Sequence, residues 1–149
     1  MNTRLATTRD VPALCDLLAI LFSQEAEFAP DRERQAAGLT LILEDASKGE
    51  IIVGERDGRV IGMVNILYTV STFLGSKVGL LEDMIMHPEA RGQHLGEQLL
   101  NAAMTHATQR GCARLTLLTD ATNAGALRFY ERAGFTRSPM IPLRYRPHE

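Results

Sequence analysis

No apolar run in this sequence of 149 residues approaches the ~18 residues that a membrane-spanning helix needs. The opening residues, Met1-Asn2-Thr3-Arg4, lead into mixed polar and apolar sequence without an apolar core of signal-peptide length. Cysteine occurs twice, as Cys15 and Cys112, in neither a CxxC nor a metal-ligand spacing, so both read as small core residues in a reducing compartment. A cytoplasmic protein is expected. Charge of one sign is scarce as well: the net charge is -2, with no basic run or stripe, which argues against a general nucleic-acid binder. The four histidines, His87, His94, His106 and His148, share no metal-ligand spacing, so no metal is expected.

What the chain does have is ordinary globular composition, 45% apolar and 23% charged, at the size of one domain spanning 1–149. Thr3 to Thr8 reads as an edge strand. Asp10 offers a helix cap with Pro12 in the first turn, and Leu14, Leu17, Leu18 and Leu21 recur at helical spacing. A polar, acidic connection holding Glu25 and Glu27 leads to a second helix, Asp31 to about Ala46. The period then becomes that of strands. Two β-rich runs, 51–53 and 60–68, flank Asp57-Gly58, a strong hairpin signal. A third strand, Val78 to Met86, stops at His87-Pro88. Arg91 to Arg110 reads as a long helix, with Leu95, Leu99, Ala102 and His106 at helical spacing and Gly111 as its C-terminal stop. A strand at 113–119, a helix at 122–133 and a final extended stretch through Ile141 to Tyr145 complete the order βααβββαβαβ. This is an α/β (α+β) arrangement, a mixed, mostly antiparallel sheet flanked by helices.

Two strand-to-helix junctions carry the chemistry. In Leu81-Glu82-Asp83-Met84-Ile85-Met86-His87-Pro88-Glu89-Ala90-Arg91-Gly92-Gln93-His94-Leu95-Gly96, a strand enters a glycine-containing turn that opens the long helix. Backbone N–H groups and the helix dipole then favour an anion such as a pyrophosphate. The second junction is Asn123-Ala124-Gly125-Ala126-Leu127-Arg128-Phe129-Tyr130-Glu131-Arg132-Ala133-Gly134-Phe135. Together, in this order and spacing, the two resemble the GNAT superfamily of N-acetyltransferases over about residues 62–135.

The resemblance implies that acetyl-coenzyme A is the co-substrate. Its pyrophosphate would lie on the loop of Arg91, Gly92, Gln93, His94, Leu95, Gly96 and Glu97, where His94 stands in place of the usual middle glycine. Its pantetheine arm would pair with backbone groups of Met84, Ile85 and Met86. Asn123 matches a cofactor contact at a helix start, and Tyr130 matches the tyrosine beside the cofactor sulfur. Leu-Glu-Asp at 81–83 and the 71–75 loop look like the diamine and polyamine acetyltransferase branch, and family habit implies a homodimer.

An amine of pKa ~10.4 is neutral in only about one molecule in 2,500 at pH 7, so a proton acceptor is needed. Glu82 is expected in that role. Asp83, expected on the opposite face of the strand, would support or bind the substrate, with Glu25 and Glu27 drawing in a cationic amine. Tyr130 would return a proton to the leaving thiolate, or could instead be a core aromatic. The expected reaction is acetyl transfer to a primary amine (a small amine, polyamine or amino acid) by direct attack in a ternary complex. The rivals are a protein N-terminal or lysine acetyltransferase and a non-catalytic acyl-CoA-binding module.

Overall fold

Asp57 and Gly58 both take positive φ, 53° and 75°, the mirror-image turn whose twist suits a two-residue hairpin. They join β2 (Gly49–Arg56) to β3 (Arg59–Ser71) at the centre of a five-stranded sheet. The computed structural model describes residues 1–25 and 29–148, arranged as two compact units, Met1–Leu118 and Thr119–Glu149.

In the first unit β1 (Asn2–Leu5), β2, β3, β4 (Ser76–Met86) and β5 (Leu115–Leu117) lie side by side in chain order. The first three pairings are antiparallel and β4–β5 is parallel. A parallel pair needs a crossover, and α3 (Leu95–Gln109) supplies it. The helices α1 (Val11–Gln24) and α2 (Arg32–Leu43) complete the unit. Leu14, Leu17 and Leu18 of α1 and Leu39 of α2 bury against Ile51, Val53, Met63 and Ile85 of the sheet. A single turn of tighter helix precedes α1, and Asp10 turns its carboxylate back to Arg4 and to the N–H of Thr7.

The stripe of α3 runs through Leu95, Leu99, Leu100, Ala103 and Ala107, all buried. The predicted track through Ala102 and His106 follows the edge of that stripe. Gly62 marks a close approach, because a Cβ there would run into Met86 and Leu99. At the far end, β2, β3 and α3 meet on one charge. Glu50, 7% exposed, accepts hydrogen bonds from Tyr68 Oη at 2.7 Å and Arg110 Nε at 2.9 Å, and lies 3.0 Å from His106 Nε2.

The second unit contains α4 (Ala124–Arg132). Asn123 caps it by accepting from the Ala126 N–H at 3.0 Å. The last strand of the predicted order is not formed: residues 133–148 join no ladder. Pro139, Pro142 and Pro147 lack the N–H that a ladder uses, and Met140, Ile141, Leu143 and Tyr145 are exposed. No described helix is long and apolar enough to cross a membrane. Among the described residues no three His, Cys, Asp or Glu side chains gather as a metal site.

Candidate active site

The parallel pairing of β4 with β5 ends at Leu81–Leu117, while β4 runs on to Met86. From Glu82 onward, therefore, only the β3 side of β4 is engaged in a ladder. Backbone groups of Met84 and Met86 lie on this continuation, as an extended arm hydrogen-bonding to a strand would require. The side chains of Ile85 and Met86 are buried and that of Met84 is half-buried, so backbone rather than side-chain chemistry is on offer here.

Beyond Met86 the chain makes one turn at Pro88–Ala90, with the His87 Nδ1 accepting from the Glu89 N–H at 3.2 Å. It then reaches the glycine loop. Gly92 has φ 77° and His94 φ 60°, so neither continues a helix, and α3 starts at Leu95 instead of the predicted Arg91. The first intrahelical bond runs from the Gln98 N–H to the His94 carbonyl. The N–H groups of Leu95, Gly96 and Glu97 precede it and have no acceptor one turn back in the helix. The His94 side chain makes no cap. A site for a pyrophosphate needs open amides at a helix start, and these residues fit it. The loop is braced from the hairpin: Arg56 Nη1 donates to Gln93 Oε1 at 2.8 Å, and Gln93 Nε2 donates to the Glu89 carbonyl at 3.3 Å. Arg91 is exposed and adds positive charge beside the amides. A cleft of about 220 Å³ flanks this brace, lined by Arg56, Arg59 and His87 among others, and none of the expected catalytic groups reaches it.

The acidic pair on β4 departs from simple alternation. Met63 pairs with Ile85 and Asn65 with Glu82, so Asp83 and Met84 together face the single residue Val64. This is a β-bulge, and Asp83 takes φ 57° within it. Glu82 is exposed, whereas Asp83 is half-buried and accepts from Asn65 Nδ2 at 2.6 Å. Burial pushes the Asp83 carboxyl up to about 7, and the neighbouring charges of Glu82 and Glu25 push the same way against the Asn65 bond. Glu25 thus faces Asp83 from the end of α1, while Glu27 lies outside the described residues. Tyr130 lies within the second unit, edge-on to Phe129 at 5.1 Å and Phe135 at 5.9 Å between ring centres. The Asn123 carboxamide serves as the helix cap.

Residues 11–135 match the family model described as "Acetyltransferase (GNAT) family". The chain belongs to the GNAT acetyltransferase family. An uncharacterised N-acetyltransferase of Bacillus subtilis is 35% identical over 138 residues, covering 91% of this chain and 89% of the relative. The aminoalkylphosphonate N-acetyltransferase of Salmonella typhimurium is 30% identical over 135 residues, covering 91% and 84%. Among solved structures, a Clostridium difficile protein described as a possible acetyltransferase superposes with a TM-score of 0.89, covering 99% and 98% at 16% identity, a likeness of fold. This GNAT protein is accordingly an acetyltransferase enzyme, which sets aside the non-catalytic module.

Sequence reasoning missed two features of this GNAT domain. One is Asn65, whose signal was a lone carboxamide inside the apolar run 60–68. The other is the Glu50 cluster, whose members lie up to 60 positions apart and carry no local signature.

Proposed function

We propose that the enzyme transfers the acetyl group of acetyl-CoA to the primary amine of a small molecule by direct attack in a ternary complex. The observation that carries this reading is the continuation of β4 from Glu82 to Met86, which pairs with β3 but no longer with β5 and leads through one turn and the glycine loop to open amides at the start of α3. An extended thioester ending in a pyrophosphate matches that sequence of groups. Loop residues 91–97 would hold the phosphates, backbone groups of Met84, Ile85 and Met86 the arm, and Asn123 a further part of the cofactor. The thioester supplies an activated acetyl carbon. One carboxylate of the adjacent pair on β4, Glu82 or Asp83, relieves the acceptor of a proton, and the family resemblance gives Tyr130 the role of returning one to the leaving thiolate. Holding both substrates together contributes ~7–11 kcal/mol, more than the ~10²–10⁴ in rate from proton transfer.

Two further acidic groups, Glu82 and Glu25, act on Asp83 beside this strand, and the three suit a cationic acceptor. The Salmonella relative is an aminoalkylphosphonate N-acetyltransferase, which also supports a small amine. A homodimer in a reducing cytoplasm completes the proposal, supported by two free thiols and by the exposed Met140, Ile141, Leu143 and Tyr145.

The test is thiol release from acetyl-CoA across spermidine, short diamines, amino acids, aminoalkylphosphonates and a peptide with a free N-terminus. One of the small amines is expected to exceed the peptide at least tenfold in kcat/KM. A peptide turned over faster than every small amine would replace this reading with a protein acetyltransferase.

A further inference from the structure

Asn65 is 2% exposed, in the middle of β3, between Ile51 on one side and Glu82 on the other. A buried carboxamide on a central strand needs partners for both ends. Its Nδ2 donates to Asp83 Oδ2 at 2.6 Å, and its Oδ1 finds no donor among the described residues. The bulge turns Asp83 toward this amide. Were Glu82 and Asp83 to alternate regularly, the residue after Glu82 would point away from the partner of Glu82. The chain instead takes φ 57° at Asp83, a conformation that aspartate tolerates better than most residues.

A carboxamide differs in one respect from the other polar partners a carboxyl could have. It donates through its nitrogen to a carboxylate, and after a half-turn about its last bond it accepts through its oxygen from a carboxylic acid. A lysine or arginine would serve only the charged form. The free Oδ1 beside Asp83 is the acceptor that the acid form would use. Among the described residues the charged groups acting on Asp83 are Glu82 beside it and Glu25 from the end of α1, both acidic, and β3 faces it with the neutral amide. That environment brings the carboxyl to about 7, where it can take a proton and release it again near neutral pH.

Resting on the acetyl-transfer reading above, we propose that Asp83, rather than Glu82, takes the proton from the incoming ammonium, and that Asn65 is the positioning residue that holds Asp83 in both protonation states. One N–H bond of the ammonium breaks, its proton forms the O–H of Asp83, and the freed lone pair forms the new C–N bond. The C–S bond breaks, and its electron pair leaves with the thiolate, which takes the second proton lost from the nitrogen. Asp83 then returns its proton to water.

The experiment is log(kcat/KM) against pH, from 5 to 10, for wild type, Glu82→Gln, Asp83→Asn and Asn65→Leu, with the best amine from the panel. With a working base the profile rises to about pH 7 and then levels off until the amine itself titrates near ~10.4. Wild type and Glu82→Gln are expected to share that break. Asp83→Asn should lose at least 100-fold at pH 7, climb with unit slope and close on wild type above pH 9.5, where about a tenth or more of the amine arrives neutral. Asn65→Leu removes a bond to the charged form and should move the break upward by half a pH unit or more, and the Asp83 carboxyl carbon, followed by NMR without substrate, should titrate with the same displacement. A merely structural Asn65 would lower the curve without moving the break. A break lost in Glu82→Gln, or kept in Asp83→Asn, overturns the proposal. Wild-type enzyme that turns over no amine at any pH overturns the acetyl-transfer reading instead.

Discussion

His94 sits at φ 60° and ψ 15°, immediately before the first residue of α3, with its imidazole 88% exposed. Glycine reaches that backbone region without the steric penalty that a Cβ brings. His94→Gly is therefore expected to keep acetyl-CoA affinity within a few-fold, measured by calorimetric titration. A loss of 100-fold would mean that the ring itself is a ligand. At Asp83 the concern is ionisation. Its carboxyl ordinarily titrates near 3.8 and here near 7, so the folded state holds a proton that the unfolded chain releases. The associated stability is complete below pH 3.8 and is lost as pH rises through 7, by at most ~4 kcal/mol. Asp83→Asn should remove that loss, and asparagine also tolerates positive φ. The variant should melt at nearly the wild-type temperature at pH 4 and clearly above it at pH 8.

At the scale of elements, Glu50 ties β2 to β3 and α3 through Tyr68, His106 and Arg110. Burial alone would raise its pKa, but those bonds outweigh it and bring the carboxyl to about 2. The sign is opposite to that at Asp83. The stability from Glu50 is present above its ordinary 4.5 and is lost as pH falls toward 2. Glu50→Gln keeps the shape and removes the charge. It should cost on the order of 2 kcal/mol at pH 7, a modest figure because Arg110 is half exposed, and the deficit should shrink below pH 4. Urea denaturation at both pH values checks it. Glu50 stands opposite Ile66, next to Asn65 in sequence, but the cluster of Glu50, Tyr68, His106 and Arg110 shares no residue with the proposed proton path, so acetyl transfer by the surviving folded fraction should be unchanged. Element boundaries follow equally local causes: β4 ends at His87-Pro88, and α3 begins only after two residues of positive φ.

For the whole molecule, a ligand that binds only the folded chain stabilises it by mass action. Acetyl-CoA at 100 times its dissociation constant is worth ~2.7 kcal/mol, an expected rise of several degrees in Tm for a chain of this length. No rise at millimolar acetyl-CoA would defeat the cofactor assignment. The motifs at 91–96 and 123–135 made the family legible because they act through short stretches of backbone, and local sequence sets backbone conformation. The Asp57-Gly58 hairpin, the leucine face of α1 and the starts of α1 and α2 were legible for the same reason: each depends on neighbours within a turn or two. The last strand was not, because extended sequence becomes a strand only when a partner supplies its hydrogen bonds, and 133–148 has no ladder partner. Which of two adjacent carboxylates is buried was likewise beyond the sequence. Glu82 and Asp83 are chemically alike and one position apart. Only the extra residue that β4 inserts opposite Val64, and the amide of Asn65 18 positions away, decide that Asp83 turns inward. Short-range sterics wrote the framework into the sequence. The ionisation of the site came from long-range contacts, because a carboxyl's proton affinity depends on what the fold brings beside it.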